Sequence, residues 1–434
     1  MIRVIGIFLT LVVTSLYLFP FELKPLPGAN TKMIMAGLGL VVIGVQMAKQ
    51  KNPSINADFF KLILWASLVS LIGLFAVVFN DTSDLEYATY IVSMFVWISA
   101  AYVVITWIKF VHGTVSVELL AKYIVAVSVM QCVLALAIDS YMPLKQLVNS
   151  IMVVTRVMET RLYGMDASLD IAGSRFSVAL VLIIYLMSQI SKKNSIYKIA
   201  SYIIAFLIIA IVGNMISRTT TVGVIIALCY FIFLLSRNQD NSIVNLRYIA
   251  ILFVGILICL LPFLCYLYQV NTSFHENIRF AFEGFFSLAE KGRWEVHSNE
   301  MLKDMYIFPD NLKTWFVGDG YFDNPYYADK YYTGPAWGGY YKGTDVGYLR
   351  FIYYFGLIGL FAFSTFMLKI GQILMNRFHE ERIMFLIIIL LNFIVWFKVS
   401  TDLFVVYALF LMIPKNKDEE IDKRLKFERP QIRN

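Results

Sequence analysis

Arginines gather where apolar runs end. Arg156 and Arg161 lie in "TRVMETRLYGMD", Arg175 in "AGSRFSVALVL", and Arg218 in "GNMISRTTTVGV". Arg279 and Arg293 lie in a long polar stretch, and Arg350 lies one turn inside an apolar run. A guanidinium is a permanently charged planar fork that matches phosphate oxygens. A cluster of them at a membrane surface suits a lipid-linked pyrophosphate. Arg218 is the sharpest case, because only a few residues separate the two apolar runs it joins. Asp345 precedes Arg350 by five residues in "GTDVGYLRFIYYFGLIGL", and a carboxylate there can orient or take a proton. The stretch "GRWEVHSNEMLKDM", 292–305, reads as a helix with Arg293, His297, Glu300 and Asp304 on one face. Trp294, Met301 and Met305 then share the neighbouring face, which should pack. His297 and Glu295 are further candidates for moving a proton. Tyr and Trp crowd the segment 314–345, Trp337 among them, and Tyr348 follows. Such rings stack on sugar C–H faces while their polar tips form hydrogen bonds. Plainer roles stand beside these: arginines that snorkel or pair with acids, a solvated charged face, an aromatic belt, and Asp345 as a helix N-cap.

The elements that must position these residues are membrane helices. Of the 434 residues 59% are hydrophobic and 15% charged, and the mean hydropathy is +0.69. A soluble domain carries roughly a quarter charged residues. The net charge of +7 does not point to nucleic acid, because the basic residues sit at the ends of apolar runs. A spanning helix needs about 20 apolar residues. Spans are expected near 4–21, 32–48, 61–79, 87–108, 117–139, 173–190, 197–214, 219–236, 248–268 and 347–368. Polar "KVSTD" divides the last long run into two short helices near 383–397 and 401–413. The expected fold is therefore an all-α polytopic membrane protein of about 12 transmembrane helices. The first span ends in "FPFE" with no small-residue cleavage site, so it reads as an anchor. Lys49, Lys109, Lys369, Arg377, Arg382 and the basic tail 414–434 then fall on the cytoplasmic side with both termini. Two large loops fall outside, near 140–172 and 269–346, the second long enough for a small helical cap. Spans 1–9 occupy 1–268, and spans 10–12 occupy 347–413. Cys132, Cys229, Cys259 and Cys265 lie in apolar runs and form no metal-binding spacing. The four histidines form no H-E-x-x-H motif, so no metal and no cofactor is expected. Gly356 and Gly359 read as sites of close helix packing.

These pieces resemble the Wzy-type polysaccharide polymerases, which are related to the bacterial O-antigen ligases. "ETRLYG" resembles the family's R-x-x-G motif, with Arg161 and Gly164. "ISRTTT" resembles its Ser-Arg motif, with Arg218. "GRWEVH" through "WFVGDG" resembles its segment that begins at Arg293 and ends at Gly318 and Gly320. "TDVGYLRFIYYFGLIGL" resembles the stretch that re-enters the membrane. The ligases carry a His-Asn pair there, and this chain has Asp345 and Val346. The resemblance implies a metal-independent glycosyltransferase of the bacterial inner membrane with its site facing the periplasm. It implies a growing glycan on undecaprenyl pyrophosphate as donor and the distal sugar of a lipid-linked repeat unit as acceptor. A chain-length regulator is an implied partner. On that basis Asp345, Arg293, Arg218, His297 and Glu295 are the catalytic candidates. Arg161, Arg175, Arg279, Arg350, Tyr348 and Trp337 are the substrate-binding candidates. Loss of Arg218 or Arg293 is expected to cost on the order of a hundredfold, from about 3 kcal/mol per oxyanion contact. An O-antigen ligase and a lipid-linked oligosaccharide flippase are the alternatives.

Overall fold

A computed structural model describes residues 2–49, 57–190, 195–237, 246–325 and 338–414. Trp337 and the tail beyond Pro414 lie outside the described residues. The first half forms α1 (Ile2–Leu18), α2 (Thr31–Lys49), α3 (Ala57–Asn80), α4 (Tyr90–His112) and α5 (Val117–Ser140). Short α6 (Met142–Ile151) and α7 (Arg156–Glu159) follow, then α8 (Leu169–Ser188), α9 (Ser195–Ile216), α10 (Thr220–Arg237) and α11 (Leu246–Val270). The large loop carries α12 (Thr272–Ala281), α13 (Glu283–Lys291), α14 (His297–Asp304) and α15 (Leu312–Phe316). The chain closes with α16 (Gly347–Arg377), α17 (Arg382–Val395) and α18 (Phe404–Leu411). Among the described residues the only β pairings are isolated bridges, such as Asp323 with Tyr340.

Apolar runs form helices here because a helix satisfies its own backbone in an environment without water. Among the described residues eight helices are long and apolar enough to cross a bilayer: α2 to α5, α8, α9, α11 and α16. They mark the chain as a multi-pass membrane protein. α1, α10 and α17 are apolar but shorter, and α18 has 8 residues. Each of the twelve expected runs is thus helical, and eight of these helices are long and apolar enough to cross. α8 is the central strut, with Ala172 through Met187 all buried. α11 is its opposite, with none of its span buried.

α16 is not one straight helix. It breaks at Phe355 and Gly356, where Gly356 has φ 68°. A β carbon on Gly356 would lie 2.1 Å from the Phe316 carbonyl oxygen, so the backbone at the end of α15 occupies that space. The break frees carbonyls that the G-x-G segment satisfies: Asp319 N–H donates to Tyr353 O at 2.6 Å, and Gly320 N–H to Tyr354 O at 3.1 Å. The large loop therefore reaches down to the broken helix. The close neighbour of Gly356 is α15, and that of Gly359 is the Phe355 ring of its own helix. The glycines serve the break rather than a crossing of two long helices.

The expected helix over 292–305 is only half there. Gly292, at φ 70°, ends α13 in a left-handed cap, and α14 begins at His297. Glycine takes that conformation without a side-chain clash. Arg293 consequently lies outside the helix and does not share a face with His297 and Glu300. The neighbouring face does not pack as expected either: Trp294 and Met301 are exposed.

Candidate functional site

The short loop between α3 and α4 fastens the G-x-G segment. Asn80 Nδ2 donates to Gly318 O at 3.3 Å, Thr82 Oγ1 to Gly320 O at 2.9 Å, and Phe322 N–H to Asp84 Oδ2 at 2.7 Å. Asp323 is thereby delivered to Arg350. Arg350 Nη2 lies 2.5 Å from Asp323 Oδ1, and its Nη1 lies 3.7 Å from Asp345 Oδ1. Nη1 also donates to Ser400 Oγ at 2.8 Å, and Nη2 to Phe322 O at 3.2 Å. The guanidinium stacks 3.6 Å from the centre of the Phe322 ring. Its Nε has no partner.

Asp345 does not cap α16. The N-cap is Val346, and no side chain caps the helix. The plain structural reading of Asp345 therefore fails. Burial pushes its carboxyl up to about 6, against the opposing pull of Arg350 and Lys398. Desolvation penalises the charged form, and one 3.7 Å cation does not fully offset it. Asp323 is raised too, first by burial, with Arg350 opposing. Tyr340, beside Asp345, is raised by burial and by that carboxylate.

A second charged pair lies within electrostatic reach of Asp345. Asp170 accepts from Lys398 Nζ at 3.0 Å, from Ser217 Oγ at 2.9 Å, and from Thr219 Oγ1. Lys398 also donates to Thr219 Oγ1 at 2.7 Å. This network ties the start of α8, the α9–α10 turn and the α17–α18 connection together. Arg175 is buried on α8, five residues on from Asp170, and lies 5.5 Å from the Phe19 ring centre. No described residue accepts from its Nε or Nη1. Asp166, Asp402 and Tyr17 act on it electrostatically without forming an ion pair within 4.0 Å among the described residues. Burial pushes the Asp166 carboxyl up to about 6, with Arg175 opposing. Lys32, 4.8 Å above the Trp97 ring, joins the same group through Glu86 and Asp402. The result is two electrostatically coupled groups of charges, Asp345 with Arg350, Asp170 and Lys398, and Arg175 with Asp166, Asp402 and Lys32.

Arg218 points the other way. Its neighbours Ser217 and Thr219 face Asp170, while its own side chain turns to the large loop. There Nε donates to Phe280 O at 2.9 Å and Nη1 to Ser298 Oγ at 2.7 Å. Nη2 lies 2.6 Å from Glu283 Oε2, a charge contact rather than a well-aligned hydrogen bond. Arg279 forks onto Glu290 at 2.7 and 2.8 Å. These groups, with His297 and Glu300, line an open cleft of about 510 Å³. Burial lowers the Arg218 pKa, with Glu283 opposing. Both arginines in the cleft are already matched by acids, so it is not a bare anion site.

The candidates thus divide. Asp345 and Arg350 pair with each other, and Arg175 lies buried on α8. Arg218, Arg279, Glu295 and His297 belong to the cleft. Arg293 is 73% exposed and paired with Glu295 at 2.5 Å. Arg161 is exposed and lies 5.3 Å from the Phe280 ring centre. Tyr348 donates to Phe393 O at 2.9 Å and packs on Phe397, so it holds α17. Sequence reasoning missed Asp170, Asp166, Asp323, Tyr340 and Lys32 as site residues. Asp170 had a signal, an acid five residues before Arg175 at the head of a span. Lys398 and Asp402 had another, two charges in the "KVSTD" break. Among the described residues no group of three His, Cys, Asp or Glu side chains is placed to hold a metal. No protein-family model, curated protein or solved structure matches the chain.

Proposed function

We propose that the protein is a polysaccharide polymerase of the Wzy type, acting at the periplasmic face of the bacterial inner membrane. The observation that carries this is a carboxyl poised near 6 beside Arg350, together with Arg175, buried on the same helix as Asp170 and with no described partner at Nε and Nη1. Asp345 removes the proton from a hydroxyl on the distal sugar of a lipid-linked repeat unit. The oxygen attacks the anomeric carbon of the growing glycan, and the bond to undecaprenyl pyrophosphate breaks. Arg175 and Arg350 offset the charge gathering on the departing pyrophosphate, a role that requires charge rather than a proton. Arg218 and Arg279, matched by Glu283 and Glu290, hold the large loop together at the cleft. All twelve apolar helices cross or enter the bilayer in this reading, with both termini cytoplasmic and the large loop periplasmic.

A second reading, a lipid-linked oligosaccharide flippase, has one observation in its favour. α16 is broken and α17–α18 interrupted beside intramembrane charges, a pattern transporters also use. An O-antigen ligase is weaker, because Asp345 stands where ligases carry histidine. Deletion of the gene, followed by gel analysis of surface polysaccharide, separates the three. A single repeat unit on the core with no ladder supports the polymerase. Lipid-linked polymer with bare core means a ligase, and repeat units trapped on the cytoplasmic side mean a flippase.

A further inference from the structure

We propose that α13 is an interfacial helix, seating Phe285, Leu288 and Trp294 in the lipid leaflet at the loop end of the bundle. This rests on the chain crossing a bilayer and not on the chemistry proposed above. The three side chains are 62%, 49% and 52% exposed. Phe285 and Leu288 are three residues apart, hence on one side of the helix. Trp294 joins them because α13 turns back at Gly292, and its ring lies 5.1 Å from that of Phe285. Gly284 makes room for the indole, since a β carbon there would sit 2.3 Å from it. The ridge is therefore built rather than frayed.

The other side of α13 is fixed inward. Ser287 is buried, and its Oγ accepts from Glu295 N–H at 2.9 Å. Glu283 and Glu290 face the polar cleft. Apolar outside and charged inside is the pattern of a helix lying in a membrane interface, and Trp favours that level.

Its height is set by two neighbours. Arg218, in the turn that ends α9 and begins α10, holds Phe280 and Glu283 at the ends of those spans. α11, with no part of its span buried, ends at the 64% exposed Val270, and α12 begins two residues later. The lipid-facing surface of α11 thus leads directly into the α12–α13 segment. A protein partner fits less well, because three side chains fall short of the roughly 800 Å² per side of a stable interface.

The test uses the full chain in bilayers of phosphatidylcholine brominated at shallow acyl positions, compared with unbrominated bilayers. The chain has seven tryptophans, so the reading is the difference between wild type and Trp294→Phe. The expected result is a bromine-quenched component that disappears in Trp294→Phe, with iodide quenching unchanged. A Trp294 component quenched by aqueous iodide overturns the proposal, because the helix then lies in water. A component quenched by neither also overturns it, because protein then covers the ridge. Phe285→Trp in the Trp294→Phe background must restore bromine quenching, and its failure to do so in a folded protein counts against the proposal equally.

Discussion

Asp345→Asn separates a catalytic carboxyl from a structural one. Burial raises this group from an ordinary aspartate value near 3.8 to about 6. At pH 7 about nine-tenths of it is then ionised, and at pH 5 about one-tenth. If the ionised form accepts the hydroxyl proton, chain extension in the wild type falls roughly tenfold between those pH values. The asparagine variant loses the base altogether and should extend chains at least about a hundredfold more slowly. Stability moves the opposite way. A carboxyl whose folded value is raised stabilises the fold fully below its unfolded value, and that contribution is lost as pH rises through about 6. The rise corresponds to on the order of 3 kcal/mol as an upper bound. Arg350 keeps Asp323 as a partner at 2.5 Å when Asp345 is gone. Asp345→Asn at pH 8 should therefore unfold at a temperature no lower than wild type. The assay is in vitro extension of a lipid-linked repeat unit by purified protein in nanodiscs across pH 5 to 8, with thermal unfolding alongside. Full extension by the variant, or a wild-type profile flat from pH 7 to 5, refutes the assignment.

Arg175→Gln should reduce extension by about a hundredfold while leaving the unfolding temperature unchanged or higher, since it removes a buried charge that lacks close protein partners. Lys398→Met strands Asp170 and should cost about 2–3 kcal/mol in thermal unfolding. Adding Asp170→Leu should recover much of that loss, and a purely additive double variant would sink the idea of a coupled pair. Gly356→Ala should destabilise by about 2 kcal/mol or more, through its positive φ and the α15 backbone in its way; wild-type stability would show that α15 does not pack there. Arg293→Ala should change the unfolding temperature little, because an exposed ion pair contributes at most about 1 kcal/mol.

The helices were legible from the sequence because apolar length is a local property. Each of the twelve expected apolar runs contains a helix, although α16 continues to Arg377, past the expected 368, and α18 is confined to Phe404–Leu411. Arg350 and Asp345 could be paired on the page because five residues of one helix start separate them. Length decides less where it is marginal, since α1, α10, α17 and α18 are apolar but shorter than the other eight. The stretch 292–305 misled because its helical periodicity was plausible, while Gly292, a residue that favours the left-handed C-cap, ended α13 and folded Trp294 back onto Gly284. The partners of the charges were decided by tertiary structure alone. Asp170 and Lys398 are 228 residues apart, as are no local signals, and meet because α8 and the α17–α18 connection pack side by side. Whether an arginine is bound or open also depends on where the fold puts acids. Arg218 and Arg279 meet glutamates on the large loop, whereas Arg175 sits inside the bundle, where no acid among the described residues lies within 4.0 Å of it. Sequence alone supplied the membrane helices and an inventory of charges. The fold chose which charges neutralise one another, because Coulomb energy and desolvation depend on distance and burial, and neither is written along the chain.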